Sequence, residues 1–252
     1  MLIAVGASFF AGFRSVVVLI LIILAFQFYF EGLFRTRLFP IMAGLTVFGL
    51  VFVSLYADKM PLAMQRSVSF LPVNVDSSVR ADAVGSTEWR VEMWDVVWKE
   101  VPKYLIVGKG YAIDPIEIDM TEDASHLGLV SSSEVSMLAG DYHSGPLSVL
   151  IPFGIPGFVA FLWVVIAGFR VLHLNYRYGD EKLRRLNTAL LSYYMANCVS
   201  FFFIFGGFSN QLVIFLGAVG LSVSLNGGLK RKPVLTDRRR DTAQQPYAIE
   251  VR

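Results

Sequence analysis

The 252-residue sequence is poor in charge, nearly free of cysteine and holds three histidines. Charged residues make up 17% of it, against roughly 25% in an ordinary soluble domain. The shortfall is uneven, because long windows carry almost no charge and the others carry nearly all of it. That pattern excludes a plain water-soluble globule and marks a bilayer-embedded chain. The one cysteine, Cys198, lies inside an apolar run, so an intramolecular disulfide is excluded and the redox compartment goes unmarked. No zinc-type Cys/His spacing and no repeat of fixed period is present. Met1 is followed by neither a basic stretch nor a small-x-small site, so a cleaved signal peptide is not expected.

What the sequence does have is apolar length. It is 55% hydrophobic, with mean hydropathy +0.57. A bilayer core about 30 Å thick needs about 20 mostly apolar helical residues. Five stretches come near that: Arg14 to Phe30, Leu38 to Tyr56, Pro146 to Val171, Asn187 to Phe205 and Ser209 to Leu225. Residues 1–13 are apolar but too short to cross alone. They are expected to be the far end of a span that starts upstream, so the chain reads as the C-terminal part of a longer protein. The organisation expected is N-terminal spans over 1–56, a loop or cap over 57–145, three spans over 146–225 and a basic tail over 226–252. The fold class is all-α, a polytopic membrane bundle with a large, partly helical outer loop.

Basic residues beside the spans set the orientation. Arg35 and Arg37 lie in one connection, Arg170, Arg177, Lys182, Arg184 and Arg185 in or beside another, and seven more Lys and Arg in the tail. Threading the five spans puts these regions on one side, the cytoplasm. Of the 15 Lys and Arg outside residues 57–145, 14 obey that topology, and the exception is Arg14. The same threading puts residues 57–145, with 7 basic and 14 acidic residues, on the outer side. The tail from Lys230 to Arg252 reads as a disordered anchor attracted to anionic lipid heads.

A connection of that length must have structure of its own. Ser86 to Val101 reads as a helix, with Ser86 and Thr87 as caps and Pro102 after its end. Val91, Trp94, Trp98 and Val101 fall on one face, packed against headgroups or neighbouring spans, and Asp95 and Lys99 form an i,i+4 pair. Gly108-Lys109-Gly110 reads as a turn; no strand-to-helix context supports it as a phosphate loop.

Few residues can carry chemistry. Arg14 lies in an otherwise uncharged 30-residue stretch; an intramembrane arginine either faces a cavity or partner or snorkels to the interface. His143 stands directly before a span, at the membrane surface, where an imidazole can take a proton from an attacking hydroxyl; the plain alternative is a surface histidine bonded at a helix start. His126, in mid-loop, and His173, on the cytoplasmic side, are weaker candidates. Arg90, on the loop helix, either pairs with a neighbouring carboxylate or serves a substrate. Asp114, Glu117, Asp119, Glu122 and Asp123 could ligate a divalent cation, but read first as an acidic solvated loop.

Taken in order, these segments resemble a known family. An Arg-Ser opens a span (Gly12-Phe13-Arg14-Ser15). A long outer loop follows, with Trp89-Arg90-Val91-Glu92-Met93-Trp94 and a Gly-x-Gly-Tyr turn (Gly108-Lys109-Gly110-Tyr111). A histidine, His143, then precedes a span with Gly-x-x-Gly (Gly154-Ile155-Pro156-Gly157). The arrangement resembles the C-terminal half of the O-antigen ligase and O-antigen polymerase superfamily over roughly Met1 to Leu225. The family often has Asn after the histidine, where this chain has Ser144, and its members are about twice this length. The resemblance implies a GT-C-like helical fold in a bacterial inner membrane. It also implies transfer of a glycan from a polyprenyl-diphosphate carrier to an acceptor hydroxyl on the periplasmic face. The acceptor is lipid A-core oligosaccharide for a ligase and another repeat unit for a polymerase. Arg14 and Arg90 would bind the diphosphate and stabilise it as it leaves, and His143 would deprotonate or orient the acceptor. No cofactor and no metal is implied, because arginines stand in for a cation. The partners implied are the lipid-linked donor, a lipid-linked or glycan acceptor and membrane lipids, with no nucleic acid. Two readings of other classes compete. A polysaccharide transport component would need polar residues along several spans, and these spans are nearly devoid of ionisable groups apart from Arg14. A non-catalytic fragment is the other.

Overall fold

The computed structural model describes residues 14–110, 115–130, 132–138, 140 and 142–230. Residues 1–13, Tyr111, Asp114 and the tail from Arg231, each part of an expectation above, lie outside the described residues, as do the side chains of Arg14 and Glu117. The described chain is helical, with no strand among these residues. In order the helices are α1 (Arg14–Phe30), α2 (Leu38–Tyr56), α3 (Leu62–Val68), α4 (Ser77–Tyr104), α5 (Pro115–His126), α6 (Ser132–Leu138), α7 (Gly145–Tyr178), α8 (Arg184–Val199) and α9 (Phe208–Asn226).

Among the described residues three stretches are long and apolar enough to cross a bilayer: Leu38–Lys59, Gly145–Tyr178 and Phe208–Asn226. These are three of the five expected spans, and α7 runs seven residues beyond the expected end at Val171. Helix α1 is apolar and 17 residues long, about 26 Å at 1.5 Å per residue. The expected span from Asn187 to Phe205 is different in kind. It is α8 followed by a π-helical turn, Ser200–Ile204, and Asn187, Thr188, Ser192 and Asn197 on it are buried. Helix α8 lies against α1, α7 and α9, so its polar groups meet protein instead of lipid, a direction that a hydropathy average does not register.

The core of the bundle joins Phe161, Val165 and Leu172 of α7, Leu191 and Tyr194 of α8, Phe201 of the π-turn, and Phe215 and Ala218 of α9. One end is closed by carboxamides. Asn187 Nδ2 donates to Asn175 O (3.1 Å) and Asn226 Oδ1 (3.0 Å), Asn226 Nδ2 donates to Asn187 Oδ1 and Ser222 O (both 2.8 Å), and Asn175 Nδ2 donates to Ser222 Oγ (3.0 Å). The backbone N–H of Lys230 completes the set on Asn175 Oδ1 (2.9 Å). Tyr176 OH donates to Phe30 O at the same level (2.9 Å), so the α1–α2 connection with Arg35 and Arg37, the α7–α8 turn and Lys230 share this tail end. The described residues of 57–145 gather at the opposite, loop end. Helix α2 has no buried residue, and between it and α1 lies an apolar cleft of about 330 Å³, walled by Val17, Ile20, Leu24, Gly49, Leu50 and Val53.

The loop is built on α4, a single helix of 28 residues that is longer than the expected Ser86–Val101. Its cap is Asp76, whose carboxylate accepts from Ser78 N (2.8 Å). Ser86 and Thr87 lie inside the helix and their hydroxyls donate back to Ala83 O, a bond that hydroxyl residues make in mid-helix. Pro102 falls within the last turn. The buried stripe also differs from the expected one: Met93, Val97 and Val101 are buried, with Trp89 and Trp94 packed on them, while Val91 and Trp98 are exposed. The Asp95–Lys99 pair forms at 2.6 Å.

Helix α4 and the start of α7 share one cluster through Met93, Val97, Val101, Tyr142, Leu147 and Ile151. A backbone joint fixes their register. Helix α7 contains Pro152 and Pro156 and is interrupted at Gly154 (φ 64°, ψ −170°), and a helix broken at prolines leaves carbonyls and N–H groups without intrahelical partners. Lys109 N donates to Ile151 O (2.7 Å), Gly110 N to Pro152 O (2.9 Å), and Ile155 N to Leu105 O (2.7 Å). The two segments of this joint touch backbone to backbone. A Cβ at Gly108 (φ +84°) would collide with the Pro152 carbonyl, and one at Gly154 would sit 2.9 Å from the Leu105 and Ile106 carbonyl oxygens. Gly108-Lys109-Gly110 therefore follows the turn at residues 105–107 as the segment that docks on α7, and Gly108 is the glycine that the close approach requires.

Candidate functional site

His143 is set by its neighbours in the chain. Tyr142 before it is buried under α4, and Ser144 after it begins α7, whose first turn is closed by Ser148 N to Ser144 O (2.9 Å). With both sides held, His143 adopts φ +47°, the one positive φ among described non-glycine residues. That region is strained for a side-chain-bearing residue, persists where surroundings over-determine it, and concentrates at functional sites. The half-buried imidazole is held edge-on between Trp89 (ring centroids 4.8 Å, 78°) and Phe205 (5.4 Å, 67°).

Arg90 follows Trp89 on α4. At about 100° per residue it falls between Val97 and Val101 around the helix axis, in the sector that faces the bundle. It is half-buried, and Glu88 and Glu92 beside it are exposed. Among the described residues Arg90 has no ion pair and no hydrogen bond, so the carboxylate pair open to it by sequence is not formed there.

Arg14 is the first residue of α1. The two residues after it, Ser15 and Val16, line a cavity of about 420 Å³ at the loop end. The other walls are Gly140, Asn197 and Ser200 at the end of α8, the Phe205-Gly206-Gly207 break, and the first turns of α9 with Asn210, Gln211 and Ile214. Phe205 thus touches His143 on one side and the cavity on the other. The loop end brings together His143, Trp89, the α4 turn bearing Arg90 and the α1 turn bearing Arg14.

The remaining candidates lie elsewhere. His126 is the exposed last residue of α5. His173 is exposed toward the tail end and stacks on Phe169 at 5.7 Å. Asp119, Glu122 and Asp123 are exposed on α5, and no group of three or more His, Cys, Asp or Glu side chains fit for a metal occurs among the described residues.

Comparison with known families decides the relationship. A family model described as O-antigen ligase matches residues 1–162. The chain belongs to the O-antigen ligase family. No curated protein and no solved structure matches it. The ligase-family match takes in Arg14, Arg90, His143 and both halves of the Gly108/Gly154 joint, and it stops within α7. Membership places the chain broadly among membrane glycosyltransferases of the O-antigen ligase and polymerase kind.

Two parts of this candidate site are not legible as such in the sequence analysis above. The Trp89–Phe205 bracket joins residues 116 positions apart, a pairing with no local signal. The polar wall from Asn197 to Gln211 did have one: Phe205-Gly206-Gly207 interrupts an apolar run, and Ser209-Asn210-Gln211 follows it, a polar group where lipid would be costly.

Proposed function

We propose that this chain transfers a glycan from a polyprenyl-diphosphate carrier to an acceptor hydroxyl at the periplasmic face of a bacterial inner membrane. The loop end, with residues 57–145 as a cap, faces the periplasm and the tail end faces the cytoplasm. The clustering of Arg35, Arg37, Arg177, Lys182, Arg184, Arg185 and Lys230 at the tail end supports that sidedness. The observation that carries the reading is His143, held in a strained left-handed conformation between Trp89 and Phe205 beside a cavity that the first turn of α1 also lines.

In the reaction the acceptor oxygen attacks the anomeric carbon of the first sugar and its proton passes to the His143 imidazole. The bond from that carbon to the diphosphate oxygen breaks, and the electron pair leaves on the polyprenyl diphosphate. Negative charge grows on the leaving group at a low-dielectric boundary, where fixed guanidinium groups stabilise it most. Arg90, with no carboxylate partner among the described residues, is available for this, and Arg14 would approach from α1. The polyprenyl tail would lie in the apolar cleft between α1 and α2. With lipid A-core oligosaccharide as acceptor the reaction is that of a ligase; with a second repeat unit it is that of a polymerase.

The test is His143→Ala in the full chain, followed by glycan transfer in cells and membrane insertion by fractionation. Transfer is expected to disappear while insertion stays normal. Transfer at the unmodified rate would remove His143 from the mechanism.

A further inference from the structure

The loop-end cavity contains more polar groups than the chemistry above uses. Asn197 and Gln211 are 2% and 7% exposed, within helices that run into the bundle, and a buried carboxamide is stable only when hydrogen-bonded. Here the bonding is incomplete. Gln211 Nε2 donates to Asn197 Oδ1 (3.1 Å) and O (3.4 Å), and Asn197 Nδ2 donates to Tyr193 O (2.8 Å). Among the described residues nothing donates to the Gln211 amide oxygen, and the amide of Asn210, exposed on the same turn of α9, has no partner. An amide group offers an oxygen with two lone pairs and two N–H donors, so this wall presents open acceptors and donors to the cavity.

The cavity has no ionisable side chain among its described lining residues, which makes it a poor seat for a diphosphate and a good one for an uncharged, hydroxyl-rich group. Its volume of about 420 Å³ falls in the roughly 300–1,000 Å³ range of small-ligand pockets, where a few polar groups orient a ligand on a mostly apolar wall. Phe205 and Ile214 supply apolar surface beside the amides. The wall from Asn197 to Ile214 also lies wholly outside residues 1–162, whereas Arg14, Arg90 and His143 lie inside them. The family model covers the reacting groups; the cavity wall belongs to the part of the chain it does not describe.

We infer that this cavity is the sugar subsite of the transferase, in which Asn210 and Gln211 bind the hydroxyl or acetamido groups of the carrier's first sugar and so set which glycan is accepted. This rests on the donor reading given above. The diphosphate is then held by the arginines at the mouth, and the sugar is turned inward past Phe205 toward His143.

The experiment measures binding to the full chain in nanodiscs. The probes are bare polyprenyl diphosphate and polyprenyl diphosphate carrying N-acetylglucosamine, glucose or galactose. The unmodified protein is expected to bind at least one glycosylated lipid about tenfold more tightly than the bare one. Asn210→Ala, at an exposed position, and Gln211→Met, of similar volume, are each expected to bring that ratio to within about twofold of one while bare-lipid binding stays the same. Equal affinity for the bare lipid and all three glycosylated lipids, or an unchanged preference in both variants, would overturn the sugar subsite and leave the donor reading intact. Failure to bind any of the four lipids would sink the donor reading and the subsite with it.

Discussion

The two ends of the α7–α8–α9 bundle handle buried polar groups in opposite ways. At the tail end Asn175, Asn187, Ser222 and Asn226 bond to one another and to the Lys230 backbone, and the helices there are regular. At the loop end the same helices are interrupted three times: at Gly154, at the Ser200–Ile204 π-turn, and at the Phe205–Gly207 break. Carboxamides there remain open to a cavity. Irregular backbone at membrane depth is tolerated where protein covers it or where it lines a cavity. A closed polar network locks three helices into one arrangement, and an open one leaves donors and acceptors facing a cavity. On the proposed function the tail end is the frame, and the loop end is the working part.

The largest expected effect comes from breaking the joint that holds the cap to the loop end. Gly108→Val puts a branched side chain at φ +84° with its Cβ in the Pro152 carbonyl, and it displaces the bonds from Lys109 N and Gly110 N. A backbone clash combined with loss of a buried hydrogen-bonded contact belongs to the most damaging class of substitutions, so a loss of about 3 to 5 kcal/mol is expected. Thermal unfolding in detergent reads it, and protease accessibility of α4 shows whether the cap has detached. Gly110→Ala, with a similar φ of +87° but open space around its Cβ, should cost much less. Equal melting temperatures for the two variants would mean that the close approach at Pro152 does not hold the cap.

Breaking the frame should act on stability and spare the reaction. Asn187→Leu removes three bonds, two donated by Asn187 Nδ2 and one accepted by its Oδ1. At roughly 0.6 kcal/mol per side-chain hydrogen bond between membrane helices, about 2 kcal/mol is lost. Asn226→Leu added to it should cost less than the sum of the two singles, because the first change already orphans the second amide. Transfer rates measured well below the melting temperature should match those of the unmodified protein. A raised KM for the donor in Asn187→Leu would show that the two ends are coupled and the division into frame and working part is wrong.

The difference between the ends also explains what could be read in advance. Helices α1 and α2 have the bounds expected of them, because an unbroken apolar run between charged or Gly-containing connections is a one-dimensional signal. Helix α8 was expected as an ordinary span, yet Asn187, Thr188, Ser192 and Asn197 turn into the bundle. Hydropathy averages around the helix and loses the direction of each side chain. Ser86 and Thr87 read as the start of α4 because hydroxyl residues favour both caps and mid-helix bonds to the preceding turn, and only the bonds to Ala83 O separate the two. Two of the four residues expected on the packed face of α4, Trp94 and Val101, do pack, while Val91 and Trp98 are exposed. A 3–4 spacing fits more than one face of a long helix. Arg90 and His143 were legible as unusual residues in telling places. Their surroundings were not, because Trp89, Phe205 and the Gly108/Gly154 contact join segments far apart in the chain. Such contacts follow from helix packing, which no local pattern encodes.

The smallest expected effect tests the cap by itself, away from both ends of the bundle. Asp76 starts α4 by accepting from Ser78 N (2.8 Å) and Ser78 Oγ (2.6 Å), and these bonds hold its carboxyl below the ordinary carboxylate range. A group whose pKa is lowered by folding contributes stability above its unfolded value and loses it as pH falls through its folded value. The contribution should thus be constant from neutrality down to the ordinary carboxylate range and vanish in stronger acid. Asp76→Ala should lower the melting temperature slightly and remove that acid-dependent part. Asp76→Asn keeps an oxygen acceptor of comparable capping strength and should restore most of the stability at neutral pH without its acid dependence. Because Asp76 N also donates to the buried Gln65 (2.6 Å), the corner between α3 and α4 has a second support that all three side chains leave untouched. The loss in Asp76→Ala should therefore stay local, raising hydrogen exchange in the first turn of α4 and nowhere in α7. Faster exchange at Ile151 or Pro152's neighbours would mean that the start of α4 and the Gly108/Gly154 joint open together, and that the cap is one cooperative unit with the loop end.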